Sequence, residues 1–304
     1  MTALPLPPRT LVALAVTGVV GLLIFLWPLS LTAPTSDVAH VPVVLGAVLV
    51  LVLVVLLVAL SDGGIDVKAV ALLGLLAAIG AVLRPLAAGT AGIETVFLPL
   101  VLGGRVLGPG FGFVLGSTTL FSSALLTGGV GPWLPYQMLA ASWLAMGAGL
   151  LPRSVRGWGE IAMLVGYGAL ASVAYGLAMN FSFWPFQLGL GTELSFVPGA
   201  PVTENLHRFL LYSLATSVVW EIGRATTTAI GIVLVGRPVL ATLRRGATRA
   251  GFAPARAGST GRPTRADGAT APVGGATGAA APAAQAAAPP DGAAWPDGTS
   301  GPPG

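Results

Sequence analysis

The chain has 304 residues, 54% of them hydrophobic and only 9% charged, too little charge to cover a water-soluble body of this size. Its formal net charge of +4 comes from basic residues scattered over predicted helix ends and a tail, not gathered with aromatics on one face, which argues against a nucleic-acid partner. Without Cys there are no disulfides, thiol catalysis or Cys-ligated metals, and His40 and His207 lie far apart and read as interfacial polar residues rather than a metal site.

In chain order, Arg9 precedes an apolar run over 11–27. The run is long for a signal-peptide core and lacks a small-residue cleavage site, so it reads as a first membrane span. A second run over 43–60 also holds no ionisable residue, and both approach or reach the roughly 20 residues needed to cross a hydrocarbon core. Apolar runs set against Gly, Pro and charge punctuation predict about eight transmembrane helices: 10–29, 41–60, 68–87, 94–107, 110–127, 133–151, 160–180 and 206–235. The glycines and prolines at 103–110 make 94–127 either a tight helical hairpin or one irregular segment. Glycines 103, 104, 108, 110 and 112 suit close helix approach or a sharp reversal better than phosphate binding.

With eight spans, Arg9, Lys68, Arg105, Arg153, Arg156, Arg237 and the tail arginines fall on one side, Arg84 and Arg208 on the other. The positive-inside rule then places both termini in the cytoplasm. From about Arg244 the sequence turns to Ala, Gly, Pro and Thr, a composition of a disordered tail; Arg244, Arg245 and Arg249 read as a topology anchor or a contact to anionic headgroups. The segment 181–205 carries Trp184, Phe186 and Phe196 but no Lys or Arg, and is expected to cap the outer helix ends.

No phosphate loop, zinc-protease motif, nucleophile elbow or dinucleotide fingerprint occurs, so the chain is expected to be non-catalytic, with no cofactor or metal, and any ATP hydrolysis to reside in a partner. Three features carry information. In the third span Gly74, Ala77, Ala78 and Ala81 form small-x-x-x-small pairs that allow another helix to approach, either within the chain or from a partner subunit. Glu221 and Arg224 stand three residues apart near the middle of the last predicted span, as an intramembrane ion pair. Arg84, Glu94, Trp133, Tyr136, Gln137, Asn180 and Trp184 collect at the predicted outer ends; an interfacial aromatic belt explains the Trp and Tyr, while the amides and charges beside them suit a small-molecule site.

The stretches ALLGLLAAIGAVLRP at 71–85, FLPLVLGGRVLGPGFGFVLG at 97–116 and GVGPWLPYQML at 129–139 resemble the substrate-specific S components of energy-coupling factor (ECF) transporters. The resemblance covers roughly 68–236 and implies an all-α integral membrane protein: a two-helix N-terminal extension (1–67), a six-helix substrate-binding core (68–236) and a disordered cytoplasmic Ala/Gly/Pro-rich tail (237–304). It implies an ABC-type importer subunit in a bacterial cell membrane, binding a vitamin or related micronutrient and working with a transmembrane coupling (T) subunit and two cytoplasmic ATPases. In the family an Ala-x-x-x-Ala face on the first core helix meets the coupling subunit; Gly74, Ala77, Ala78 and Ala81 stand there as a small-residue variant. By position, the ligand-holding segments are 84–94, 128–137 and 180–205. Cobalamin or a cofactor precursor is the first ligand suggested, with Arg84 for an anionic group and Trp133, Tyr136 and Trp184 for a ring. The alternative is a self-sufficient secondary transporter, for which only Glu221 and Arg224 speak.

Overall fold

The computed structural model of the chain describes residues 8–26, 28, 67–87, 91–131, 133–187 and 192–249. The second expected span, 41–60, and everything from 250 onward lie outside the described residues. Every regular element among them is helical: α1 (Pro8–Phe25), α2 (Val67–Leu83) running into a 3-10 turn (Arg84–Ala87), α3 (Phe97–Leu107), α4 (Pro109–Thr127), α5 (Leu134–Leu150), α6 (Trp158–Gln187), α7 (Val202–Thr216) and α8 (Val218–Arg249). Among the described residues, four segments are long and apolar enough to cross a membrane: Lys68–Leu86, Pro109–Thr127, Trp158–Pro185 and Val218–Thr248.

The ambiguity at 94–127 resolves into two helices meeting at Gly108, whose φ of 99° lies where L side chains are disfavoured; Pro109 then starts α4, where its missing N–H costs nothing. α3 is buried almost all round, as befits a short helix with apolar residues on every face. It packs there because α5 meets α3 and α4 backbone to backbone. A Cβ at Gly104 or Gly112 would strike the Ala145 carbonyl, and one at Gly116 would strike Ala141. Ser117 Oγ and Ser142 Oγ close the α4–α5 contact at 2.5 Å.

The expected final span, 206–235, is two helices. Ser217, with φ −122° and ψ −11°, stands at the joint, yet its N–H still donates to the Ser213 carbonyl and its own carbonyl accepts from the Glu221 N–H. The path bends without Gly or Pro. α7 is amphipathic and buries Asn205, Phe209 and Tyr212 against Phe181, Trp184 and Phe196. The expected cap is therefore built differently from a loop: residues 181–187 continue α6 through Pro185, and α7 closes over them. Trp184 Nε1 donates to Leu194 O at 2.6 Å, and the Asn205 amide makes both bonds to the Val197 backbone, at 3.1 and 2.9 Å.

At the other end of the long α6–α8 pair, Glu160 accepts from Arg105 Nε at 2.7 Å and from Arg244 Nη2 at 2.6 and 2.7 Å. Arg105 also donates to the carbonyls of Leu151, Pro152 and Val155. Arg105 and Glu160 are 6% and 2% exposed, a buried charge network in which the donors have partners. This overturns the tail boundary read from composition at 237 and about Arg244: α8 stays helical to Arg249, because Arg244 is docked and Leu240, Leu243 and Ala247 are buried. Arg237 stacks on the Trp158 ring at 4.6 Å.

Candidate functional site

Opposite the Arg105–Glu160–Arg244 network, three chain segments converge on a cavity of about 410 Å³. Its first wall is the end of α2. Pro85 disfavours α geometry at Arg84, the helix tightens into the 3-10 turn, and Arg84 Nη2 reaches Gln137 Oε1 at 2.9 Å. Beyond it the chain turns through Ala91 (φ 44°) and Gly92 (φ 78°). This turn lies directly on α8: a Cβ at Gly92 would strike the Trp220 backbone, and one at Gly223 the Ala91 carbonyl. That close approach delivers Glu94 to Arg224 Nε at 2.6 Å.

Arg224 also holds Glu221 at 2.9 Å and lies 5.7 Å from the Tyr175 ring centre; a Cβ at Gly176 would collide with both members of the Glu221–Arg224 pair. Because the chain bends at Ser217, this pair is in the first two turns of α8 and not near the middle of a span. The expected intramembrane pair and the expected ligand site are thus one structure, with Arg224 shared between two carboxylates.

The second wall is the last turns of α4, Ser123 and Thr127, followed by Gly129 and Trp133. Gly128 ends the helix in the left-handed conformation (φ 65°), its N–H bonded to Ala124 O, the usual glycine stop. The third wall is Trp220 with Arg224.

Of the residues expected at a ligand site, Arg84, Glu94 and Trp133 line this cavity and Gln137 supports it through Arg84. Tyr136, Trp184 and Asn180 do not line it. Tyr136 is packed between Phe25 and Phe183, with ring centres 5.3 and 5.6 Å away. Trp184 is fully buried in the aromatic cap. Asn180 is on α6 with its Nδ2 buried and unpartnered. An outer-end aromatic suits either a membrane-interface belt or a ligand site, but packing turns these two inward. The small-residue stripe of α2 also divides. Ala77 and Ala81 are 2% and 4% exposed and face the bundle, whereas Gly74 and Ala78 are exposed and a Cβ at Gly74 meets nothing within 4 Å.

Sequence reasoning missed Trp220, Ser123 and Thr127. Trp220 had a signal, its place next to Glu221; the hydroxyls, inside an apolar helix, had none.

The family model for the ECF transporter substrate-specific component matches residues 68–236. The chain belongs to that family. No curated protein and no solved structure matches the chain. S components are substrate-binding membrane subunits of ECF transporters, not catalysts, and this S component is a multi-pass membrane protein. Among the described residues, every one that lines the cavity falls between 84 and 224, within the matched core.

Proposed function

We propose that this S component captures a vitamin-like micronutrient at the outer face of a bacterial cell membrane, and that a transmembrane coupling subunit and two cytoplasmic ATPases drive its delivery inward. The observation that carries this reading is the cavity bounded by Arg84, Glu94, Trp133 and Trp220 at one end of the bundle, of a size typical of small-molecule sites. Charge supports the orientation. Arg153, Arg156, Arg237, Arg244 and Arg245 cluster at the end holding Glu160, and the positive-inside rule assigns that end, with both termini, to the cytoplasm. Residues 68–236 then act as the substrate-binding core, 1–67 as an addition and the chain beyond α8 as a disordered tail.

The exposed Gly74 and Ala78, flanked by exposed Leu75, Ile79 and Val82, suit the coupling subunit's approach, since small residues let helix backbones come close in lipid. Glu221 and Arg224 scaffold the ligand site, which withdraws the one feature that favoured a secondary transporter.

The test is affinity purification of the tagged chain from its native membrane in mild detergent. Co-recovery of a coupling permease and two ATPases is expected. Ligand uptake into vesicles containing this chain alone would refute the importer reading in favour of a secondary transporter.

A further inference from the structure

We infer that the cavity takes a ring-bearing monocarboxylate, with Arg84 receiving the carboxylate, Trp133 and Trp220 walling the ring, and Ser123 giving or taking one buried hydrogen bond. This rests on the substrate-binding reading above and narrows it to a chemical class.

Charge comes first. Two guanidiniums line the cavity, but they are not equivalent. Arg224 is neutralised by Glu94 and Glu221 at 2.6 and 2.9 Å. Arg84 has a neutral partner, Gln137, bonded through Nη2, and among the described residues no carboxylate pairs with it. Gln137 holds one N–H of Nη2 and leaves the second free to form an edge with Nε or Nη1, on which a carboxylate can sit. A phosphate dianion asks for a second unpaired cation, which the lining does not offer. A cationic ligand asks for a free carboxylate, and both nearby ones are committed to Arg224.

The ring follows from Trp133 and Trp220, which line the cavity and are 43% and 41% exposed. Indoles left this open on a cavity wall provide flat apolar faces on which a ring gains burial and stacking. Ser123 supplies the third point. Its side chain is fully buried yet its Oγ has no partner, and an unmade buried hydrogen bond is unfavourable. Its neighbour Thr127 is already bonded to the Ser123 carbonyl at 2.8 Å, so of the two hydroxyls only the Ser123 Oγ awaits a partner. Size sets the limit. About 410 Å³ holds a ligand of one or two rings, whereas a corrin with its side chains is larger than the whole cavity.

The experiment exposes purified full-length protein to the protein-free small-molecule fraction of a lysate of its own host, washes it, and identifies retained compounds by mass spectrometry. Wild type, Arg84→Gln, Arg84→Lys and Ser123→Ala are compared, each first checked for a single symmetric size-exclusion peak. The expected result is retention of a ring-bearing monocarboxylate, weakened about tenfold or more by Arg84→Gln, partly restored in Arg84→Lys and weakened several-fold by Ser123→Ala. Retention of a neutral, cationic, polyphosphorylated or corrin compound, or of a carboxylate indifferent to Arg84→Gln, overturns the inference and leaves the substrate-binding reading standing. No retained compound on wild type overturns both.

Discussion

Gly223→Ala tests how the candidate site is held. In an exposed helix interior this change stabilises by about 1 kcal/mol, because Ala is the better helix former. Here the new Cβ lands on the Ala91 carbonyl, and backbone cannot swing aside as a side-chain tip can. Overpacking of this kind costs about 1–3 kcal/mol. Moving the 91–94 turn also stretches the 2.6 Å Glu94–Arg224 contact, a charged hydrogen bond worth about 1.5–3 kcal/mol. Set against the helix gain, the net destabilisation is about 1.5–5 kcal/mol, or an apparent Tm about 3–20 °C lower for a domain of this size. Gly246→Ala, in the same helix with nothing within 4 Å of its Cβ, is the control and should hold or raise the Tm. Fluorescence-detected size-exclusion melting in detergent measures both. Equal melting of the two variants would refute the claim that the turn is seated on α8.

Arg105→Leu leaves three carbonyls without their donor and Glu160 with Arg244 alone; a loss of about 3–5 kcal/mol should appear as loss of monodisperse protein on gel filtration. Trp184→Ala removes the centre of the aromatic cap and should cost about 3–5 kcal/mol in thermal melts; at a permissive temperature ligand retention should persist, since Trp184 does not line the cavity. Gly74→Leu and Ala78→Leu should reduce transport in whole cells while sparing retention of ligand by the purified chain; loss of retention in a folded variant would show that docking face and cavity are not separate.

Sequence patterning anticipated the helices well where punctuation is chemical. Gly108 and Pro109 break 94–127 where glycine and proline act on the backbone itself, and Pro85 ends α2 as expected. It failed where the backbone bends without them. At Ser217 hydrogen bonds of helical spacing persist on both sides of the joint, so an apolar window reads through it and places Arg224 at mid-span instead of at the cavity. α6 likewise runs past its expected end at 180, through Pro185 to Gln187, because packing under α7 keeps the helix going. At the site, Arg84, Glu94 and Trp133 were recognisable as polar or amphipathic groups at helix ends. The Glu94–Arg224 contact spans 130 positions and depends on glycines at 92 and 223 whose use appears only when two backbones meet. The direction in which Tyr136 and Trp184 point was equally invisible, since an inward and an outward aromatic look the same in a linear string.

The helix lengths have a mechanical consequence. At 1.5 Å per residue, the 30 residues of α6 and the 32 of α8 measure about 45 and 48 Å, well beyond a hydrocarbon layer of roughly 30 Å. The 17 residues of α2 rise about 26 Å by the same measure, and the 3-10 turn Arg84–Ala87 adds about 8 Å at roughly 2 Å per residue. The long pair exceeds the hydrocarbon layer by about 15 Å, so it must tilt or carry its ends into the headgroup region. Lipid of altered chain length is therefore a handle on the tilt of this pair that touches neither ligand nor partner.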